Sequence, residues 1–237
     1  FIYNAAILNK AGINPDEITS YAKLEEAVKK LDAKKAELGL EAVFAVAGKE
    51  TWVTGLHFTN AALSPEFENV FNAFNAKKID FKYSEGMKKL FDLQINYAKK
   101  PVNSVDYSTQ VEKLFSLGKV AFMQQGNWTL GAIKGIDEEL AANIGFLPMP
   151  IVGAKEDSIP VGIPMYWTVN STKDEKTQAA AKAFLNWMYT SEKGKDAIIN
   201  KFGFIPPFKG FDSPDLQPKK KKKKNIMKYA SAAKTIK

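Results

Sequence analysis

Cysteine is absent from the 237-residue chain, which excludes disulfide scaffolds, thiolate zinc sites and cysteine nucleophiles together. Histidine occurs once, as His57, so multi-histidine metal centres are excluded as well. No apolar run reaches the length of a membrane span. Arginine is missing altogether, and all 34 basic residues are lysine. Arginine is the side chain that grips guanine edges and phosphates through paired bonds, so a dedicated nucleic-acid reader is not expected. Even the positive charge is local. Of the formal net charge of +8, six units come from the consecutive lysines at 219–224, and removing them leaves about +2.

What is present is ordinary globular material: 45% hydrophobic and 12% aromatic residues, enough for at least one sizeable core. The length suits one large domain or two small lobes. The chain opens on Phe1-Ile2-Tyr3-Asn4, an aromatic and β-branched start that reads as a buried strand rather than a leader. It is therefore expected to be an internal piece of a longer polypeptide.

Alternating strand and helix signals predict an α/β fold. After the opening strand, Asn14-Pro15-Asp16 marks a turn, and Thr19 or Ser20 caps a helix with Tyr21, Leu24, Val28 and Leu31 on one face. Short strands are expected over 41–47, 119–124, 143–147 and 165–170. Helices are expected around 67–81, with Phe67, Val70, Phe71 and Phe74 at helical spacing, from Ser84 as the cap, with Met87, Leu90, Phe91 and Ile95 inward, from Ser108, from Asn127-Trp128, after Ser171-Thr172-Lys173-Asp174 and from Ser191. On the helix near 180, Phe184, Trp187 and Met188 are expected to fill core. Gly203-Phe204-Ile205-Pro206-Pro207 reads as extended.

No nucleophile elbow, phosphate loop or His-Glu-x-x-His motif occurs. The carboxylate pairs Glu25-Glu26 and Glu138-Glu139 are adjacent in sequence, so on a helix they point about 100° apart and read as solvated surface rather than as a glycosidase pair. No catalytic residue, cofactor or metal ligand is assigned. The aromatics are more informative. Trp52 and Trp128 follow strand signals, and ligands of open α/β sheets bind beyond the carboxyl ends of strands. An indole face can carry the C–H face of a pyranose while neighbouring amides and carboxylates bond its hydroxyls. Each of these two tryptophans admits a core role or a site role. Gln125 and Asn127, flanking Gly126, and Glu50 are candidate polar partners. His57 reads first as a structural histidine at a helix start and second as a ligand donor.

Four stretches resemble a known family: Phe1-Ile2-Tyr3-Asn4 with Leu8-Asn9-Lys10-Ala11-Gly12-Ile13, Leu117-Gly118-Lys119-Val120-Ala121-Phe122-Met123 through Gly126-Asn127-Trp128, Val161-Gly162 to Trp167-Thr168-Val169-Asn170, and Ala180-Ala181-Lys182-Ala183-Phe184-Leu185-Asn186-Trp187-Met188 through Gly194. In this order, across roughly residues 1–210, they resemble the family 1 extracellular solute-binding proteins of ABC transporters, the carbohydrate-binding, maltose-binding-protein-like group. The usual aromatic after the first helix cap is replaced by Ser20, and the lysine run falls where the family has mixed residues.

The resemblance implies a periplasmic-binding-protein-like type II fold of two lobes joined at a hinge, with the first lobe incomplete. Residues 1–3 would be a hinge-crossing strand and 4–155 most of the second lobe. Residues 158–207 would return to the first lobe, and 208–237 would hold a crossing segment and the start of the C-terminal helices. Function would be capture of a sugar or oligosaccharide and delivery to the permease subunits, without catalysis, by a monomer. Trp128 would be the stacking residue, Trp52 a second wall, and Met165, Tyr166 and Trp167 contacts from the other lobe. Location would be periplasmic or the outer face of a bacterial membrane, held by an upstream lipid anchor. The alternatives are a glycan-active enzyme using a carboxylate pair and a binder of a non-sugar solute. The lysine run reads as a disordered stretch or a polyanion-binding tail.

Overall fold

The computed structural model describes residues 1–67, 69–154, 156–159, 166–202, 210 and 211. The chain divides into two compact units, Phe1–Pro160 and a second that begins at Val161.

In the first unit, strand β1 (Ile2–Asn4) runs directly into helix α1 (Ala5–Lys10), because the Asn4 side chain accepts the backbone N–H groups of Ala6 and Ile7. Helix α2 (Tyr21–Ala33) starts at Ser20, whose hydroxyl accepts from the Lys23 N–H, and it buries Leu24, Ala27, Val28 and Leu31. Strand β2 (Phe44–Ala45) follows, then a π-helix, Trp52–Phe58, that continues into α3 (Thr59–Leu63). Helices α4 (Val70–Asn75) and α5 (Ser84–Asn96) come next, then a second π-helix, Thr109–Phe115. Strand β3 (Phe122–Met123), helices α6 (Thr129–Ile136) and α7 (Glu138–Ala142), and strand β4 (Ile144–Phe146) complete the unit.

The sheet order is β2-β3-β1-β4. β1 is antiparallel to both neighbours, with Tyr3 opposite Phe122 and Gly145, while β2 and β3 run parallel with Phe44 opposite Phe122. The strands are shorter than the apolar runs that predict them. Ala42, Val43, Val46, Ala47, Val120 and Ala121 are buried, but they lie outside the named ladders. A continuous apolar run reports burial on both faces, not the length of pairing. Phe44 lies at the middle of the core, 5.7 Å from the Phe1 ring and 5.4 Å from Phe122.

One helical expectation is corrected. Ser84 is the first residue of α5 and provides no side-chain cap, and α5 buries Gly86, Leu90, Leu93 and Gln94 while Phe91 is partly exposed. The aromatic stripe at Phe71 and Phe74 forms on α4 but faces solvent.

In the second unit, the strand expected over 165–170 is not formed by the described residues 166–170. Helix α8 (Glu175–Thr190) is capped by Asp174, which accepts from the Thr177 N–H, and α9 (Glu192–Asp196) by Ser191, which accepts from Gly194. A third π-helix spans Ala197–Phe202. Met188, Ile198, Ile199 and Phe211 form the core of this unit. Trp187 and Phe184, expected in a core, stack on each other at 5.9 Å and are about half exposed. Among the described residues of this unit, the four buried side chains do not cover the whole apolar stripe of a helix of this length. Met165, the extended run at 203–207 and the lysines at 219–224 lie outside the described residues.

Candidate functional site: an aromatic wall

β2 and β3 run parallel, so their carboxyl ends open on one edge of the sheet. From β2 the chain reaches Glu50 and the π-helix that begins at Trp52; from β3 it reaches Gln125 and Trp128, the residue that precedes α6. A π-helix bonds residue i to i+5, which returns the chain to the same side after five residues. Trp52 and His57 are five apart, and their rings meet edge-on with centroids 5.7 Å apart. Trp128 completes the group, 6.2 Å from the Trp52 ring and 5.5 Å from His57. Tyr107, which sequence reasoning missed, has its ring 6.2 Å from that of Trp52.

Gly126 makes the turn possible. A Cβ placed there would come within 2.0–2.3 Å of Cζ3, Cη2 and Cε3 of Trp128, so the indole can lie against this position only if it is glycine. Trp128 remains 49% exposed, which leaves half of its surface open to a partner.

Both indole N–H groups are bonded within the protein. Trp52 Nε1 donates to Glu50 Oε2 at 2.9 Å, and Trp128 Nε1 donates to Gln125 Oε1 at 3.1 Å. Glu50 Oε1 in turn accepts from the Tyr107 backbone N–H at 3.0 Å. Gln125 Nε2 donates to Oε1 of Gln110 at 2.8 Å. Burial, and after it the nearby Glu112 carboxylate, raises the Tyr107 phenol above its usual pKa, so its hydroxyl stays protonated at neutral pH. Asp106 is held below the usual carboxylate range by the backbone N–H and hydroxyl of Thr109, which anchors the start of the second π-helix.

The structure thus brings Glu50, Trp52, His57, Gln125 and Trp128 together, with Asn127 half-buried in the same turn. Tyr166 and Trp167 belong to the second unit, where both are exposed and Trp167 Nε1 donates to the Tyr189 hydroxyl at 2.9 Å. Gln110 was also missed. Its signal is a polar residue four positions before Leu114, on the apolar side of a predicted helix. A groove of about 480 Å³ lined by Val46, Thr54, Phe91, Ile95 and Val102 contains none of the four rings of the wall. Among the described residues no group of three or more His, Asp or Glu is placed to hold a metal ion, and no helix is long and apolar enough to cross a membrane.

Flat apolar faces lie beside amides at the carboxyl ends of parallel strands, and the architecture around them is that of the type II periplasmic binding proteins. The chain belongs to the bacterial extracellular solute-binding proteins, whose family model matches residues 1–195. It is similar in fold to a chitin oligosaccharide binding protein, with a TM-score of 0.67 and 19% identity over 98% of this chain and 57% of that one. A manno-oligosaccharide specific solute-binding protein of Bifidobacterium animalis subsp. lactis, in complex with mannotriose, matches with a TM-score of 0.59 and 22% identity over 91% of this chain and 51% of its own. RafE of Streptococcus pneumoniae, in its apo form, matches with a TM-score of 0.57 and 20% identity over 83% and 50%. The chain therefore spans about half the length of the solved structures it resembles. A search of curated proteins gives no match.

Proposed function

We propose that this chain is part of the substrate-binding component of an ABC importer, which captures a sugar or oligosaccharide and delivers it to the permease subunits without chemical change. The observation that carries the reading is the pair of indoles at 6.2 Å whose N–H groups are already bonded to Glu50 and Gln125. With the N–H edges satisfied, the rings offer apolar faces, which suit the C–H face of a pyranose. Hydroxyl bonds would come from the remaining lone pairs of Glu50, from His57 and from Asn127. Trp128 is the main platform and Trp52 the second. Met165, Tyr166 and Trp167 are assigned as ligand contacts by the resemblance. The lobe division follows it too, with 4–155 as most of the second lobe, 158–207 as returning first lobe and 208–237 as crossing segment and C-terminal helices. Extracellular display, through a lipid anchor or in a periplasm, belongs to the same reading.

The test is calorimetric titration with raffinose, mannotriose and a chitin oligosaccharide, run on this chain and on any longer product of its reading frame. Trp128→Ala is expected to weaken the preferred sugar by about 1–3 kcal/mol, the range for losing one aromatic platform, with the fold intact. Equal affinity of wild type and variant removes Trp128 from the site. Release of shorter sugars during incubation would favour the enzyme alternative.

A further inference from the structure

We infer that Gln110 is the positioning residue of the aromatic wall: its buried amide fixes the orientation of Gln125, and through it the indole of Trp128. Gln110 is fully buried, on the same helix as the buried Val111, Leu114 and Phe115, where leaving its amide unbonded would be strongly destabilising. Its Nε2 donates to the backbone carbonyls of Ala45 at 2.8 Å and Gln124 at 3.4 Å. Carbonyls only accept, so the nitrogen must face them and Oε1 must turn the other way, towards Gln125. Gln125 then presents its nitrogen to Gln110 and its oxygen to Trp128 Nε1. One buried amide thus sets the next, and that one sets the edge of the ring.

The same side chain also ties two strand ends together. Ala45 is the last residue of β2 and Gln124 follows β3, so Gln110 staples the points from which the Trp52 and Trp128 loops depart. Three residues earlier, the Tyr107 N–H holds Glu50, which holds Trp52. Residues 107–110 therefore reach each indole through a single intermediate, and they set the spacing of the wall before any ligand arrives. The structural part of this inference stands on geometry; its consequence for affinity rests on the sugar-platform reading above.

Two variants and two readouts test it. Gln110→Met keeps the length of the side chain and removes the amide. Gln125→Met removes the amide that connects Gln110 to Trp128, on a half-buried loop, and carries the test should Gln110→Met not fold. Without ligand, the near-ultraviolet circular dichroism that Trp128→Phe abolishes is the signature of the ordered indole. Both variants are expected to lose at least about half of it with far-ultraviolet spectra unchanged. With the best-bound of raffinose, mannotriose and a chitin oligosaccharide, Gln110→Met is expected to bind about tenfold more weakly, and to add nothing in a Trp128→Ala background. Unchanged near-ultraviolet spectra in both variants, or losses that add in the double variant, overturn the inference. If the signature collapses while no sugar distinguishes wild type from Trp128→Ala, the positioning role holds and the sugar reading fails.

Discussion

Glu50 and Gln125 have the chemistry to hold sugar hydroxyls, yet each already bonds an indole N–H. Residue type made both legible as site candidates. Their orienting role was not legible, because it depends on Tyr107 and Gln110, which approach from a distant stretch of chain. His57 shows the same gap: a lone histidine at a helix start reads as structural, and only the i to i+5 return of a π-helix sets it beside both tryptophans.

At the scale of elements, the 3.6-residue period located helices well and burial less well. Phe71 and Phe74 satisfy helical spacing on α4, yet they are 66% and 87% exposed. That helix is held by polar bonds instead. Asn69 accepts from the Asn72 N–H, and the two oxygens of Glu66 accept from the backbone N–H groups of Asp80 at 3.1 Å and Lys82 at 2.7 Å, closing the loop at its base. A period in the sequence describes a stripe; whether the stripe is buried depends on a partner that the period cannot see. Thermal unfolding separates the two cases. Phe74→Ser is expected to move Tm by no more than about 2 °C, as for an exposed site, whereas Phe122→Ala in the core should cost about 3–5 kcal/mol and lower Tm by roughly 6 °C or more. A loss for Phe74→Ser as large as that for Phe122→Ala would show that α4 is packed in solution. The π-helices escaped notice for a related reason: Val111, Leu114 and Phe115 bury equally well in a helix of either winding.

At the scale of the whole chain, the α/β class was legible because strand and helix signals alternate. The sheet order was not, since no tight turn joins β1 to β3 or β4 and nothing in the sequence sets their direction. Charge is the other property of the whole. The net +8 is concentrated in the six lysines at 219–224, whereas the wall is built from neutral rings and amides beside one carboxylate. The two features predict opposite salt behaviour. A polyanion held by six lysines releases about 0.9 counterion per contact, so its affinity should fall by roughly five powers of ten for a tenfold rise in salt. A neutral sugar stacked on indoles displaces no counterions, and burial of its apolar face is little screened. Titration with the preferred sugar between 50 and 500 mM salt is therefore expected to change Kd by less than about twofold, and deletion of the six lysines should leave that Kd where it was. A steep salt dependence that disappears with the deletion would instead place the main binding activity in the lysine run and leave the aromatic wall without a ligand.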